Sequence, residues 1–398
     1  MKSWKPTASN LAAAVAAAAV IAALAGCGRK EDAGASTSAK TGADGNVIRI
    51  GHVAPLSGGD AHLGKDNENG ARLAADEINA AGGVKLGDKT YRVQIQGEDD
   101  KADPREGTLA AQKLVDAGVI AVVGHLNSGS SIPASKIYKD ADVAQISPSS
   151  TAVKYTDQGF KTTFRVVAND TQQGTAMANY AVNTLKARTV AIVDDRTAYG
   201  QGLADVVDGV IKASGVKVVA RDYTDNKASD FNAILTKIRA TRPDAIIYGG
   251  MDDTAGPMAK QVHQLGIKSP FLSGDGACTP EFIKLAGDGA DLLTCTRAGE
   301  AVDNLPKGKQ FMTRYQAKFG SEVQIYAPYS YDAVYIIVDA IHRAGSLDRA
   351  AVAAAVATTK LDGLTGHIEF DPKGDLKNGA ISVYKVQDGK LNYVSTTR

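Results

Sequence analysis

The sequence has few cysteines and almost no net charge. Only three cysteines occur in 398 residues, so the chain is not a disulfide-rich scaffold, and it lacks the usual spacings of zinc-binding cysteines. Lys and Arg number 45 and Asp and Glu number 44, and the formal net charge is +1. This balance argues against a nucleic-acid-binding protein, which usually has a basic excess, and against an acidic disordered chain. The length suggests two or three domains, at roughly 150 residues each.

The sequence also lacks an apolar run long enough for a comfortable membrane span. The apolar stretch from Leu11 to Leu24 is shorter than the roughly 20 residues that a span requires, and it follows Lys2 and Lys5. A short basic start before such a run is typical of an export signal. The run ends at Leu24-Ala25-Gly26-Cys27, which resembles the lipobox of bacterial lipoproteins. We therefore expect residues 1–26 to be a lipoprotein signal peptide and Cys27 to be lipidated; an ordinary cleaved signal or a membrane anchor is the alternative.

The segment after this cysteine is predicted to be a tether. Residues 28–45 contain no large apolar side chain and cannot bury enough surface to fold, so we expect a flexible linker over 27–46. Export also permits disulfides. The two remaining cysteines, Cys278 and Cys295, could pair with each other, although their spacing alone does not prove it.

From residue 47 onward, strand-like and helix-like patterns alternate. Two successive β-α series end near 167 and near 298, a helical region covers about 306–357, and three more strand-like stretches follow. Such alternation predicts an α/β fold with parallel sheets and helices on both faces. The predicted strands are 47–53, 91–95, 119–123, 143–146, 189–193, 217–221, 244–248, 270–272, 367–370, 381–386 and 392–394.

Four polar loops follow predicted strands, at 124–131, 147–151, 197–202 and 273–276. Ligands of open α/β sheets bind outside the carboxyl ends of the strands, so these loops are the candidate site. Two of them are rich in hydroxyl groups and precede helices, whose free N–H groups favour an anion. The alternative is that these residues are ordinary helix caps and turns.

The exported part of the chain resembles the leucine/isoleucine/valine-binding proteins of bacterial ABC transporters, which are type I periplasmic binding proteins. Several short motifs, in the family's order over roughly the whole exported part, carry this resemblance. They are Ala54-Pro55-Leu56-Ser57-Gly58, ARLAADEINAAGG at 71–83, GHLNSGSS at 124–131, SPSSTA at 147–152, YGQG at 199–202, DAIIYGG at 244–250, YSYDA at 329–333, and 363–371 followed by Lys373-Gly374-Asp375.

The resemblance implies two Rossmann-like lobes with parallel sheets, joined by three crossovers and closing over a ligand by a hinge motion. Residues 47–167 and 300–365 are expected to form lobe 1. Residues 168–299 and 366–398 are expected to form lobe 2.

The resemblance also implies how a free amino acid would bind. Ser128 and Thr151 would hold its carboxylate, and Thr151 and the Ser149 carbonyl would reach its ammonium group. Asp275 would pair with the ammonium from lobe 2, and Tyr199 would pack over the closed ligand. Asn127 and Ser150, from the same two hydroxyl-rich loops, complete the predicted polar contacts.

Three positions depart from the leucine-type pattern. Leu63 and Met251 stand where aromatic lining residues are common, and Asp275 is one methylene shorter than the family's glutamate. We expect both apolar residues to line the pocket, unless they only pack at the lobe surface. Methionine is flexible and suits a range of aliphatic side chains.

Other chemistries have little support. Residues 59–66 nearly match a P-loop, but Asp66 replaces the Ser or Thr that would hold magnesium. The acidic run Glu98-Asp99-Asp100 is more typical of a solvated strand end than of a cation site, and His125 is expected to be structural. No nucleophile elbow occurs. We therefore expect no metal, no cofactor and no enzyme activity.

The leading hypothesis is a periplasmic, lipid-anchored and monomeric receptor that delivers an aliphatic, branched-chain amino acid to an inner-membrane ABC permease. Alternatives are a sensory ligand-binding protein on the same fold, a relative specific for another amino acid, a short amide or urea, and an exported enzyme. An acidic Asp275 favours an amino acid over an amide, because an amide lacks the ammonium group.

Overall fold

The computed structural model describes residues 46–398, and the predicted signal peptide, lipidated cysteine and most of the tether lie outside them. The described chain is an α/β structure with two large sheets, each with helices on both faces. This confirms the fold class expected from the alternating pattern. Within residues 46–398, no helix combines the length and the apolar character that crossing a membrane requires.

Each of the eleven predicted strands is present, and the structure adds four that the sequence analysis did not predict. The strands are β1 (Val47–Ala54), β2 (Val84–Leu86), β3 (Lys89–Asp99), β4 (Ala121–Gly124), β5 (Ala144–Ser147), β6 (Thr163–Arg165), β7 (Thr189–Asp194), β8 (Lys217–Tyr223), β9 (Ala245–Gly249), β10 (Phe271–Ser273), β11 (Leu293–Arg297), β12 (Lys360–Asp362), β13 (His367–Glu369), β14 (Ile381–Gln387) and β15 (Lys390–Thr397). The added strands are β2, β6, β11 and β12. The helices are α1 (Ala61–Ala80), α2 (Pro104–Asp116), α3 (Ser128–Asp140), α4 (Lys154–Asp157), α5 (Asp170–Asn179), α6 (Ala198–Ala213), α7 (Asn232–Thr241), α8 (Asp252–Gln264), α9 (Pro280–Ala286), α10 (Gly308–Phe319), α11 (Ala327–Ala344) and α12 (Arg349–Val356).

The two large sheets have related topologies. The first has the order β2-β3-β1-β4-β5-β6, and only the β2–β3 pair is antiparallel. The second has the order β15-β14-β11-β10-β9-β7-β8, and its antiparallel pairs are those that β14 makes with β11 and β15. Parallel strands present their carboxyl ends at one edge, so the loops after β4, β5, β7, β9 and β10 are placed to form a site.

The chain passes between the sheets three times. It leaves the first sheet after β6, returns after β11 to the helices α10 to α12, and crosses again between β13 and β14. Helix α11 packs on α1, and its apolar face shares one core with Ile48, Ile50 and Ile146 of the first sheet.

Local sequence signals explain several helix boundaries. Asp103 caps α2 by accepting from the Arg105 N–H at 2.8 Å, and Pro104 takes the first helical position, where no N–H is needed. The predicted helical region near the C-terminus is three helices rather than one. Gly320 and Gly345 end two of them in the left-handed conformation, which glycine adopts without a side-chain clash.

Cys278 and Cys295 form a disulfide in the structure. The bond joins the segment after β10 to the neighbouring strand β11. The pairing that the sequence only permitted is therefore present.

Candidate functional site

A small cavity lies where loops from the carboxyl ends of both sheets come together. Its volume is about 20 Å³, room for about one water molecule. It is lined by Leu126, Asn127, Ser128, Ser149, Tyr199, Met251, Asp275 and Tyr326. Asn127, Ser128, Ser149 and Asp275 come from the segments after β4, β5 and β10, which is where an α/β fold places its ligand, Tyr199 follows β7, and Tyr326 precedes α11.

Larger cavities lie elsewhere. One of about 600 Å³ lies beside the connections between the sheets, next to Glu300 and His367. Another, of about 420 Å³, lies at the start of β1, next to Arg72 and Arg92. Neither is formed by the loops at the carboxyl ends of the parallel strands, so neither is the first candidate for the ligand site.

The first-sheet wall of the small cavity is a helix N-terminus with hydroxyl groups around it. Ser128 is the first residue of α3, and its Oγ accepts a hydrogen bond from the Ala152 N–H at 3.2 Å. Ser149 donates from its Oγ to the Leu126 carbonyl at 3.1 Å. The first N–H groups of a helix have no partner within it, and they favour an anion. This wall therefore suits a carboxylate.

Serine hydroxyls hold the two first-sheet loops against each other. Ser147 donates to the His125 carbonyl at 2.8 Å, and Ser150 donates to the Leu126 carbonyl at 3.0 Å. The hydroxyls of Ser131 and Ser150 also lie 2.6 Å apart. Because these groups are buried, their mutual bonds fix the loops with little freedom.

A buried arginine fixes the loop that contains Thr151. The side chain of Arg165, at the end of β6, donates through Nη1 to the carbonyls of Ser150 and Ala152, both at 2.9 Å. Its Nε pairs with Asp375 at 2.6 Å. Thr151 is thus held between two anchored carbonyl groups.

On the second-sheet side, Asp275 is held by two tyrosines. Tyr199 donates to one carboxylate oxygen and Tyr326 to the other, each at 2.8 Å. Burial raises the pKa of the Asp275 carboxyl, and the two tyrosine hydrogen bonds act against that rise. Among residues 46–398, no Lys, Arg or His side chain forms an ion pair with Asp275, so no basic side chain competes with a cationic ligand for its oxygens.

Tyr326 is a site residue that sequence reasoning missed. Tyr326 directly precedes α11, which packs against α1 and the strands of the first sheet. The Tyr326 hydroxyl nevertheless reaches Asp275, which follows β10 of the second sheet. Asp66 positions this segment by accepting from the N–H groups of Tyr326 at 2.7 Å and Ala327 at 2.9 Å. No local pattern marks this tyrosine; the nearby motif Tyr329–Ala333 is the only hint.

Most of the predicted ligand residues meet at the cavity. Those that line it are Asn127, Ser128, Ser149, Tyr199, Met251 and Asp275. Ser150, Thr151 and Leu63 are not among the lining residues: Ser150 is engaged by Ser131, and Leu63 is fully buried in the apolar cluster that also contains Met251 and Tyr326.

His125 and the acidic run at 98–100 contact other residues of the fold and do not line the small cavity. The two ring nitrogens of His125 lie 2.9 Å from Asp100 and 3.0 Å from the Tyr138 hydroxyl, and all three side chains are fully buried. Asp99 accepts from the Leu56 N–H at 2.8 Å, and Glu98 pairs with Lys113 at 2.7 Å. These partners hold the end of β3.

Three other carboxylates meet beside the site. Asp60, from the loop after β1, and Asp252 and Asp253, at the start of α8, each place an oxygen within 4.8 Å of the others. Asp60 accepts from the Asn127 side chain at 2.9 Å, and Asp252 pairs with His62 at 2.8 Å. Burial, with Asp253 and Asp252 adding to it, raises the pKa of Asp60 to about 7. No metal was expected from the sequence. Three ionised carboxylates this close together repel one another, so their proximity favours the protonated form of at least one of them.

The chain is similar to known proteins along most of its length. The model of a family described as periplasmic binding protein matches residues 47–390. An "Amino acid binding protein" of Pseudomonas aeruginosa is 36% identical over 343 residues, which cover 86% of this chain and 90% of that protein. "Leu/Ile/Val-binding protein homolog 1" of Brucella abortus is 34% identical, over 87% of this chain and 93% of its own length. The crystal structure of a leucine binding protein, LivK, from Thermotoga maritima superposes with a TM-score of 0.82 at 29% identity, over 88% of this chain and 98% of that one.

Proposed function

The chain belongs to the periplasmic binding protein family, and on that premise we propose that it is the solute-binding component of an ABC importer. Its ligand is an aliphatic amino acid of the branched-chain type. The importer's own ATPase would consume ATP, and this chain would return its ligand chemically unchanged. The names of the relatives, which describe amino acid, Leu/Ile/Val and leucine binding, support this ligand class.

The single observation that carries the proposal is the polarity of the small cavity. One wall has the N-terminus of α3 and the Ser128 hydroxyl, which suit a carboxylate. The other has the buried Asp275 carboxylate, which suits an ammonium group. Leu126 and Met251 supply apolar surface between them. A zwitterion with an aliphatic side chain matches all three features.

The two walls of the small cavity belong to different proposed lobes, and this arrangement supports closure of the lobes over the ligand. Residues 47–167 with 300–365, and residues 168–299 with 366–398, are proposed to move as two lobes about the three connections. The Tyr326–Asp275 bond joins the proposed lobes directly. A ligand that binds groups on both sides stabilises the closed state, because some of its contacts exist only there.

The test is a thermal-shift and calorimetry screen of refolded protein, since refolding removes carried ligand. We expect L-leucine, L-isoleucine or L-valine to raise the melting temperature, because a ligand that binds only the native state stabilises it. Asp275→Asn should weaken binding about 10- to 100-fold, the effect of losing a charged hydrogen-bond partner. Asp230→Asn, at an exposed position, is the control.

Other outcomes would redirect the proposal. A shift only with a different amino acid would keep the site and change its specificity. A shift only with short amides or urea would contradict the role of Asp275, because those ligands have no ammonium group. Conversion of a bound ligand would contradict the non-enzymatic role.

Export, anchoring and the partner are also proposals. We infer a periplasmic monomer held to a membrane by a lipid on Cys27 that delivers its ligand to an inner-membrane permease. Mass spectrometry of the mature N-terminus tests the lipid, and Cys27→Ala should leave the protein unlipidated. Loss of uptake on deletion supports transport. Unchanged uptake, with ligand-dependent binding to a receptor ectodomain, would favour the sensory alternative.

A further inference from the structure

An ion pair joins the two proposed lobes beside the small cavity. His62 is the second residue of α1, and its Nε2 lies 2.8 Å from a carboxylate oxygen of Asp252, the first residue of α8. The side chain of Asp252 is fully buried, and that of His62 is 24% exposed. Asp252 directly follows Met251, which lines the cavity. The pair therefore lies next to the ligand site and requires the two lobes to be in contact.

The backbone before α1 comes very close to α8 at this point. A Cβ added to Gly59 would lie 2.5 Å from a carboxylate oxygen of Asp253, which is too close for any residue other than glycine. Asp60, the next residue, places a carboxylate oxygen within 4.8 Å of oxygens of Asp252 and Asp253. A rotation of one lobe away from the other would separate all of these groups.

The hydrogen bonds of His62 determine how many protons the pair holds. Its Nδ1 lies 3.1 Å from the Gly59 carbonyl, which can only accept, so Nδ1 carries a hydrogen. The bond between Nε2 and Asp252 requires a second hydrogen. The Thr279 hydroxyl donates to the same oxygen of Asp252 at 2.5 Å, which favours the carboxylate form and places that hydrogen on Nε2. The closed pair thus holds one proton more than a neutral imidazole beside a carboxylate.

The carboxyl groups around this pair come from both proposed lobes. Asp60, from the loop after β1, and Asp253, on α8, both interact electrostatically with His62. Asp195, after β7, in turn acts on Asp253. Among residues 46–398, no Lys or Arg side chain forms an ion pair with Asp60, Asp252 or Asp253. A proton on His62 therefore supplies a cation that offsets the charge of this acidic group.

The other titratable neighbours do not supply that cation. Lys65, one turn further along α1, pairs with Glu68 at 3.3 Å. Tyr326 approaches Asp252 from the segment before α11, but burial above all raises its pKa well above 10, so it is neutral. Burial lowers the pKa of His62, but the hydrogen bond and the charge of Asp252 outweigh burial, so this pKa stands above its usual 6.5.

We propose that His62 and Asp252 form an ion pair that holds the lobes closed over the captured amino acid, and that capture takes up a proton at His62. This inference rests on the proposed function and adds to it a coupling between ligand capture and pH. In the open form, His62 is separated from Asp252 and titrates as an ordinary histidine, so it is neutral above about pH 6.5. Closure then moves one proton from solvent to Nε2 and changes no other bond, so atoms and charge balance.

The sign of the pH effect follows from this proton uptake. His62 binds its proton more tightly in the closed form than in the open form, so the ligand should bind most tightly below about pH 6.5. Affinity should fall as the pH rises from there through the pKa of the closed form, by at most about tenfold per pH unit for one proton. Asp60 acts in the same direction, because burial and Asp253 raise its pKa to about 7 in the closed structure.

The experiment removes Asp60 from the comparison, since Asp60 could take up the proton in place of His62. Asp60→Asn and Asp60→Asn/His62→Gln are titrated with L-leucine at pH 7.5, in calorimetry buffers of different ionisation enthalpy, which gives the affinity and the proton count. We expect Asp60→Asn to take up as much as about one proton, and the added His62→Gln to remove most of this uptake.

The affinities at two pH values give a second readout. At pH 6.5, His62→Gln should weaken binding about 3- to 30-fold in the Asp60→Asn protein, which is the effect of losing a partly exposed charged hydrogen bond. The difference should shrink towards pH 8.5, where His62 has less of its proton to lose. His263→Gln, at an exposed position in the last turn of α8, is the matched control and should change neither quantity.

Each result is decisive. Equal proton uptake by Asp60→Asn with and without His62→Gln would overturn the inference. Equally weakened binding at every pH, with an unchanged proton count, would mean that His62 only packs between the lobes, and would overturn it as well. If the His62→Gln protein does not fold, Asp252→Asn removes the pair from the other lobe and should give the same loss of uptake. Binding of leucine without proton uptake would refute this inference alone, whereas no binding of any amino acid by wild type would refute the proposed function and the inference with it.

Discussion

Asp66 shows how one side chain can position another at a distance in sequence. It is fully buried on α1 and accepts from backbone N–H groups of the segment before α11, including those of Ile325 and Tyr326. Burial raises the pKa of its carboxyl despite these bonds. The result is that Tyr326 is presented to Asp275, although the two residues lie on different sides of the site.

Tyr326→Phe should weaken ligand binding by about 1 kcal/mol, roughly the net value of one buried hydrogen bond. The variant removes the hydroxyl that joins Asp275 to the first-sheet side and keeps the ring in the apolar cluster. Calorimetry with L-leucine measures the effect. Tyr331→Phe, whose hydroxyl contacts Glu77 at 2.6 Å instead, is the matched control and should bind like wild type.

At the scale of elements, the site is built from loops whose ends are capped and cross-linked. Thr197 caps α6 by accepting from the Gly200 N–H at 2.9 Å, and Thr279 caps α9 by accepting from the Phe282 N–H at 2.9 Å. The disulfide then ties Cys278, which lies just after Asp275 and directly before Thr279, to β11. Loops that carry binding residues need such a rigid frame, because a misplaced group contributes little.

Removing the disulfide should lower the free energy of unfolding more than it weakens ligand binding. The two cysteines are 17 residues apart, and closing a loop of about 15 residues is worth about 3 kcal/mol in the unfolded chain. The double variant Cys278→Ala/Cys295→Ala should lose free energy of unfolding of that order in urea. A reducing agent should lower the stability of wild type and leave the variant unchanged. Equal sensitivity of both proteins would contradict the expectation.

At the scale of the whole molecule, the two sheets meet through both apolar and acidic surfaces. One apolar cluster contains Leu63 and Tyr326 from one side and Leu203 and Met251 from the other. Beside it, Asp60 faces the acidic start of α8. The apolar contact favours the closed arrangement, and ionised carboxylates oppose it, so the closed form should depend on pH.

The pH dependence has a definite sign. Asp60 has a pKa of about 7 in the folded protein, raised from 3.8, so the folded state binds more protons than the unfolded state between these values. Its contribution to stability is therefore full below about pH 4 and is lost as the pH rises towards about 7. The melting temperature of wild type should therefore fall between about pH 4 and pH 7, and Asp60→Asn should remove the part of this fall that Asp60 causes. The exposed Asp225→Asn should not, and identical profiles for wild type and Asp60→Asn would refute the assignment.

Much of the fold was accessible from local patterns. The β-branched run at 47–53, the stop at Gly82-Gly83 and Pro104 at the start of a helix each act within a few residues, so their structures followed the prediction. The polar loops after β4, β5 and β10 were found because parallel strands bring their carboxyl ends together. Tyr326 was missed because its importance depends on a contact between the two sides of the site, which leaves no local pattern.

The amino-acid sequence by itself determined the alternation of most strands with helices, the resemblance to a family, and the loops in which a ligand site would lie, because these depend on periodicity, turn chemistry and short motifs. Only the tertiary structure decided that Cys278 and Cys295 are bonded and that Tyr326 reaches Asp275. Those facts concern pairs of groups far apart in the chain. Their distances and burial exist only once the two sheets are packed together.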